Sequence, residues 1–530
     1  MSDTKRFYVD NIRIENYDQV ELDRKYIHID VHTKPNFKQY FGTLKLKYIN
    51  ESNHFFFLLY DDEGNERRFL SDQWNVHFLN PVYENLPLKE AVGKIAVPII
   101  VICYNNHKYV DNMVKKIIQV NPDLRTSIII MDNNSDNSNT QKYLRENIHD
   151  VIIVHNKQNN GPWVDINRNW YLYDIMPDKF ILTDPDLEIN ENLPADFVDI
   201  LCELIDEYDC SKIGFALEVK DSDKMYNDYN YFDNKSIWQW ESTHFWDENH
   251  RFEHPKYVLY RGGIDTTFGL VCKTRLHSGN DYINIRVAGD FTCRHLPFYV
   301  DDPLFTVYDR FVYKNKSIFS TMGAVYNRYI EENFAQISKN EEILLIPKDD
   351  PNMSLWEKDT DEDWHIRGWM DHHLNKDKNL LIIGEDMGKW TLYGSRKANQ
   401  VFTFNVRDEF KESLYKNVKY NCDNVCLLEN VNIDYHLIDK IVDDTIANKI
   451  INVPFNNIDS PDKSDKILDS IMLNHLGMII INMRGEEQDV VKYYTDIRDS
   501  FVQNSSNPLK KIACYVMFDY SKWKNEAHFI

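Results

Sequence analysis

Apolar and polar positions follow two different rhythms along this chain. From residue 1 to about 93 the apolar positions come in short alternating or continuous runs, KYIHIDVHT, GTLKLKYIN, HFFFLLYDD and WNVHFLN, divided by turn-like segments such as DDEGNE. Alternation of period two between turn residues predicts strands. Residues 1–93 therefore read as a β-rich accessory domain. No catalytic constellation lies in it, so docking, acceptor binding and a plain structural appendage all stay open.

Near residue 94 the rhythm changes. IAVPIIVICYNN is a buried-strand run that ends in small polar residues, and VDNMVKKIIQV has helical spacing. SIIIMDNNSD reads as a strand, TQKYLREN as a helix, VIIVHN as a strand, and NNGPW opens a loop. RNWYLYDIM is a further helix and KFILTDPDLEI a further strand. Strand–helix alternation predicts a mainly parallel α/β sheet, here assigned to residues 94–340. In such sheets ligands lie outside the carboxyl ends of the strands. Those ends carry Asn105 and Asn106, then Asp132, then Asn156, then Asp184, which is the layout of a binding site. Residues 341–375 are rich in Pro, Asp and Glu (PKDDPNMSLWEKDTDEDW) and read as a linker whose Trp residues can dock on a neighbour. Alternation restarts at 376 with NLLIIGEDMG, QVFTFN, NVCLLEN, MIIINMRG and IACYVMF, predicting a second Rossmann-like domain over 376–530.

Composition narrows the partners. With 43% hydrophobic and 27% charged residues the chain can bury a sizeable core. Its formal net charge of −23 argues against nucleic acid or an anionic membrane surface, both of which need basic residues to displace counterions. A small anionic ligand is still allowed, because a bound cation or a few local Arg and Lys can receive it. The eight cysteines form no pair of C-x-x-C units, so free thiols in a reducing compartment are expected rather than a zinc site. The start, MSDTKRFYVDN, has no apolar signal region, and no apolar run is long enough for a span. The expectation is a cytoplasmic protein with no membrane span.

The chemistry centres on Asp184-Pro185-Asp186. Two carboxylates alternating at a strand's end, with a proline between them, can point from a turn toward one spot. That suits Mn²⁺ or Mg²⁺, which prefer oxygen ligands and share them with substrate phosphates. Such a cation offsets charge developing on a departing nucleoside diphosphate. Two acids in a turn are more often simply solvated; the position after three strand–helix units is what raises this pair.

VPIIVICYNN, MDNNSD, the N-x-G-P-W loop and FILTDPDLEI resemble the family-2 glycosyltransferases of GT-A fold, and YRGGIDTTFGLV and IRVAGDFTCRHLPFY extend the likeness. The resemblance implies an α/β fold with a Rossmann-like mixed sheet. It implies metal-dependent, inverting transfer of a hexose from a nucleotide-sugar donor, UDP-linked, to a glycan or other hydroxyl acceptor. Tyr104 and Asn105 would hold the nucleotide. Asp132 would contact base or ribose, with a turn or helix cap as the alternative. Gly161, Pro162 and Trp163 would cover the nucleotide. Arg168 would reach the diphosphate, or else be a surface helix arginine. Asp184 and Asp186 would bind metal and donor, and His295 would complete the metal shell unless it is structural; Arg294 beside it could face a phosphate. For the base that takes the acceptor's proton, Asp265 comes first, Asp290 second and Glu241 third. Each of the three could instead be a cap or part of a structural pair. The family's usual E-D pair is not found, so a retaining mechanism stays open. Trp238, Trp240, Phe245 and Trp246 are candidates to stack an acceptor sugar, or are core.

In the last segment LLIIGEDMGKWTL, QVFTFNVRDEFKESLYKNVKYN and MIIINMRGEEQDVVK resemble the FkbM-type S-adenosylmethionine methyltransferases. Gly384 and Gly388 are kept. Ile382 and Asn405 stand where that family has carboxylates, and Asn482-Met483-Arg484-Gly485 replaces its D-x-E-G. The likeness implies a methyltransferase-type fold that has lost methyl transfer. A bifunctional glycosyltransferase and methyltransferase, and a non-catalytic carbohydrate-binding scaffold, are the alternatives.

Overall fold

Runs such as Ile99–Cys103 and Ile128–Asp132 are buried at every position, because a parallel sheet is covered on both faces. The computed structural model describes residues 5–9, 20–30, 38–49, 54–72, 79–81, 85–165, 168–276, 284–316, 321–339, 342–357, 367–368, 370–372, 374–376, 379–383, 387–404, 408–428, 476–482 and 513–517. The chain divides into two compact units, residues 1–304 with 313–325, and residues 305–312 with 326–530.

The first unit contains a five-stranded antiparallel sheet in the order Glu66–Asp72, His54–Tyr60, Lys38–Ile49, Lys25–Asp30, Leu79–Pro81. Val20, Tyr26, Leu44, Phe57 and Leu59 form its core. Asp61 Oδ1 accepts the backbone N–H groups of Glu63 and Asn65, so the DDEGNE segment turns as its residue types predict. Glu66–Asp72 escapes the apolar pattern because it is a charged edge strand (ERRFLSD).

The larger sheet has ten strands. Five run parallel in the order Arg6–Val9, Ile152–Asn156, Ile128–Asp132, Ile99–Cys103, Lys179–Thr183. Gly269–Cys272 follows antiparallel, and then come Lys212–Phe215, Asn284–Val287, Leu259–Arg261 and Arg251–Phe252. Arg6–Val9 belongs to this sheet although it lies inside the segment read as a separate β-rich domain. Its Phe7 and Val9 are buried while Tyr8 is exposed, an alternation too short to stand out in the sequence. Helix His107–Val120 turns Tyr109, Val110, Met113, Val114 and Ile117 inward, a stripe at helical spacing.

The second unit has a parallel five-stranded sheet in the order Val425–Leu428, Val401–Phe404, Asn379–Ile383, Leu476–Asn482, Ala513–Met517. The third, second and first strands are followed by the fourth and fifth, a doubly wound order. Within the stretch read as a linker, Glu342–Pro347 pairs antiparallel with Phe334–Lys339. Leu344, Ile346 and the fully buried Trp356 join Leu380, Ile382 and Trp390 in one core. Gly388 has φ 102°, and a Cβ there would lie 2.6 Å from Leu414 Cδ1, so only glycine fits. Gly384, Asn405 and Met483–Gly485 lie outside the described residues. Among the described residues no helix is long and apolar enough to cross a membrane.

Candidate active site

Asp184 follows the strand Lys179–Thr183 at its carboxyl end. Its backbone N–H donates to Thr266 O at 2.7 Å, and its Oδ2 accepts from the Thr266 hydroxyl. This brings the D-x-D turn against the G-G-I-D-T-T turn, 82 residues later. Asp186 starts a two-stranded ribbon. Leu187–Glu188 pairs antiparallel with Arg294–His295, Leu187 facing His295 in register, and Leu296 N–H donates to Asp186 O at 2.9 Å. His295 Nε2 thereby lies 3.3 Å from Asp186 Oδ1.

Burial and the neighbouring Asp186 carboxylate hold the Asp184 pKa well above the ordinary range, against the Thr266 hydrogen bond and His295, which pull it down. Burial opposes charge on His295, but Asp186 and then Asp184 outweigh it, and the imidazole pKa is raised. His295 Nδ1 is buried and takes part in no hydrogen bond, and buried Asp186 Oδ1 has only the 3.3 Å contact with His295 Nε2. Two crowded acids, one of them meeting an imidazole nitrogen at 3.3 Å, are of the residue types that hold a divalent cation. Among the described residues, however, no three His, Cys, Asp or Glu side chains converge as a ready-made metal site. The Asp184 carboxylate is turned to Thr266, so a cation here would draw part of its shell from a phosphate ligand.

The other predicted residues fall into three groups. The first lies on the ends of the parallel strands. Asn105, at φ 57°, bonds Asp136 through Nδ2 at 2.8 Å, and its Oδ1 accepts from the N–H groups of Asp136 and Asn137. Tyr104 is half-buried beside it, its N–H donating to Asn106 Oδ1 at 2.9 Å. Asp132 uses both oxygens on the protein: Oδ1 accepts from Ser135 N–H at 3.0 Å, and Oδ2 lies 2.9 Å from His155 Nδ1. That geometry is the turn-capping alternative.

The second group is the loop after Ile152–Asn156. Gly161 takes φ 83°, which glycine adopts without strain. Beneath it lies a network that the sequence reading missed except for Asn156. Asn156 Nδ2 donates to Asn133 Oδ1 at 2.9 Å and Asn169 Oδ1 at 3.1 Å, and Tyr171 OH donates to Asn156 Oδ1 at 2.5 Å. Asn133 Nδ2 donates to Gly161 O at 3.0 Å, and Asn169 Nδ2 to Trp163 O at 2.8 Å. Buried amides must find partners, and here the partners are the loop's own carbonyls. At the loop's tip the Trp163 indole N–H reaches Asp265 Oδ1 at 2.7 Å, and the Arg168 guanidinium lies 3.8 Å from the Trp163 ring centroid.

The third group is the set of candidate bases. Asp265 is exposed and adjoins the turn that holds Asp184, whose pKa it helps to raise. Asp290 is exposed on the turn Gly289–Phe291, outside this hydrogen-bonded set. Glu241 is buried and faces Arg286 at 3.0 Å, each side chain only 5% exposed. Arg294 stacks on Tyr299, 4.0 Å from the ring centroid, and lies 3.4 Å from Asp301. Of the aromatic candidates, Trp238 is exposed, Trp240 stacks between Phe232 and His244, Phe245 lies under Arg286, and the Trp246 indole N–H bonds Leu217 O. A run of ring contacts leads from His295 through Phe298, Tyr231 and Phe232 to Trp240. Thr266 and Arg286 were also missed. Their signals are a Thr next to the candidate base and an Arg inside the buried run NIRV.

The profile of glycosyl transferase family 2 matches residues 99–267. No curated protein matches the chain. Among solved structures the chain is similar to a mannosyltransferase from Pyrobaculum calidifontis in complex with GDP-Man and Mn²⁺, with 17% identity, 24% of this chain and 36% of that one covered, and a TM-score of 0.19. It is similar to S. aureus TarS in complex with UDP-GlcNAc, with 16% identity, 23% and 34% covered, and a TM-score of 0.19. A third is an rRNA methylase from Streptococcus thermophilus, with 10% identity, 29% and 69% covered, and a TM-score of 0.17. The chain spans about a third of the length of the first two.

Proposed function

We propose that residues 94–340 transfer a sugar from a nucleotide-sugar donor, UDP-linked, to a hydroxyl of a glycan or other acceptor, with inversion. The observation that carries this reading is the D-x-D turn docked against both the Asp265-Thr266 turn and the Arg294–His295 ribbon, which brings His295 Nε2 to 3.3 Å from Asp186 Oδ1. The family-2 profile supports the same reading.

Asp184, Asp186 and His295 would hold Mn²⁺ or Mg²⁺, whose charge offsets that on the departing nucleoside diphosphate. Tyr104 and Asn105 line the strand end where the nucleotide lies, and Asp132 fixes that edge through Ser135 and His155. Gly161, Pro162 and Trp163 would cover the donor, and Arg168, whose guanidinium lies against the Trp163 ring, would reach the diphosphate. Asp265 takes the proton from the acceptor hydroxyl as that oxygen attacks the anomeric carbon; its exposure suits a group that must meet an incoming acceptor. Asp290 is the second choice. Glu241 is the weakest, since its carboxylate is already committed to Arg286. The aromatic run from His295 to Trp240 supplies apolar faces for the acceptor sugar.

The test is a thermal-shift screen of UDP-glucose, UDP-N-acetylglucosamine and GDP-mannose with and without Mn²⁺, followed by hydrolysis of whichever donor stabilises the protein. Activity that survives full chelation and Asp186→Ala removes the metal assignment. Asp265→Asn is expected to abolish turnover while donor binding persists; unchanged turnover moves the base to Asp290.

For the second unit we propose a methyltransferase-like fold without methyl transfer. Its parallel sheet has the doubly wound order that such a fold requires, and Ile382, where an acid would anchor the cofactor, is buried and apolar. Micromolar binding of S-adenosylmethionine would restore the bifunctional alternative.

A further inference from the structure

The Trp163–Asp265 hydrogen bond joins two loops, 102 residues apart, that the proposed reaction uses for different purposes. One covers the donor and the other carries the candidate base. Asp265 is exposed, so water could satisfy its carboxylate, and burial does not demand a protein donor there. Only Oδ1 is engaged; Oδ2 takes no hydrogen bond from the described residues. The backbone of the same turn is fixed from below, where Lys212 Nζ donates to Ile264 O at 3.3 Å and reaches Asp265 O at 3.5 Å. The Trp163 end is fixed as well. Its carbonyl accepts from the buried Asn169 amide, and its ring lies against Arg168. A donor anchored at its own carbonyl and stacked on a guanidinium thus presents its N–H to one oxygen of an exposed carboxylate.

We infer that Trp163 is a positioning residue for Asp265, holding Oδ1 so that Oδ2 is presented for the acceptor's proton. The inference rests on the reading of Asp265 as the base. Its physical basis is the steep distance dependence of proton and group transfer: a misplacement of about 1 Å costs on the order of 100-fold in rate. An unanchored aspartate at an exposed turn rotates among its rotamers and spends only part of its time in the productive one.

Trp163→Phe keeps a ring under Arg168 and removes the N–H. With the donor selected by the thermal screen, its kcat for hydrolysis should fall roughly tenfold or more while the donor KM stays within about twofold. Asp265→Asn with Trp163→Phe should lose little beyond Asp265→Asn alone, because both act through one carboxylate. A raised KM with unchanged kcat would make the bond a mere loop anchor and overturn the inference, as would losses that multiply in the double variant. If Asp265→Asn retains turnover, the base assignment itself fails. If Asp265→Asn is inactive and Trp163→Phe is fully active, only the present inference fails. A second measurement needs no substrate. In protein labelled with ¹⁵N at the indole nitrogens, the signal lost in Trp163→Phe should move upfield in Asp265→Ala, and a signal that does not move would show the bond absent and overturn the inference.

Discussion

Glu241 can be separated from the candidate bases by a stability measurement. Its carboxylate lies 3.0 Å from an Arg286 Nη, with both side chains 5% exposed. The same guanidinium donates through Nε to Gly263 O at 2.9 Å and stacks 3.7 Å from the Phe245 ring centroid. Glu241→Leu leaves this cation buried and without its counter-ion, which costs about 3–5 kcal/mol. At roughly 2 °C per kcal/mol for a large domain, that is a fall of about 6–10 °C in Tm. Glu241→Leu with Arg286→Met removes both charges. It should recover about 2 kcal/mol or more of the loss, keeping a residue of about 1–3 kcal/mol for the unpaired Gly263 carbonyl and the lost stacking. Thermal and urea melts of the four proteins give the coupling energy directly, and it should exceed about 2 kcal/mol. A Glu241→Leu protein as stable as the parent, or single losses that simply add, would refute the pairing. A stable Glu241→Leu protein without turnover would return Glu241 to the list of bases.

Mn²⁺ with UDP at a hundredfold excess over its Kd should stabilise the protein by about 2.7 kcal/mol, and Asp186→Ala should abolish the gain in a thermal-shift assay. Asn169→Ala places alanine at φ 52° and leaves buried groups unpaired, so urea melts should show a loss of about 2–4 kcal/mol and donor KM should rise as the Trp163 loop loosens. Burial raises the thiol pKa of Cys103 and of Cys293, so at pH 8 both remain protonated; mass mapping after treatment with Ellman's reagent should find them unmodified in the native protein and modified in guanidinium. Calorimetry with S-adenosylmethionine should show no micromolar binding.

The central sheet was legible in the sequence because apolar runs such as IIVIC and SIIIM, broken by helical spacing, leave little choice but parallel strands buried on both faces. The same pattern put Asn105, Asp132, Asn156 and Asp184 on one edge, since strand ends in such a sheet share a side. Short elements were not legible. Arg6–Val9 is four residues long, and it is a strand only because Ile152–Asn156 offers it an edge. The pairing of Leu187–Glu188 with Arg294–His295, which puts His295 beside Asp186, depends on chain returning over a long separation and leaves no local mark. Side-chain commitments were equally hidden. Glu241 and Asp265 are both carboxylates in plausible motifs, and only tertiary structure buries one against Arg286 and leaves the other exposed under the Trp163 indole. Residue type and period are local properties that a sequence carries on its face. Which carboxylate is buried against a cation, and which is left exposed, is decided by what the fold packs around it.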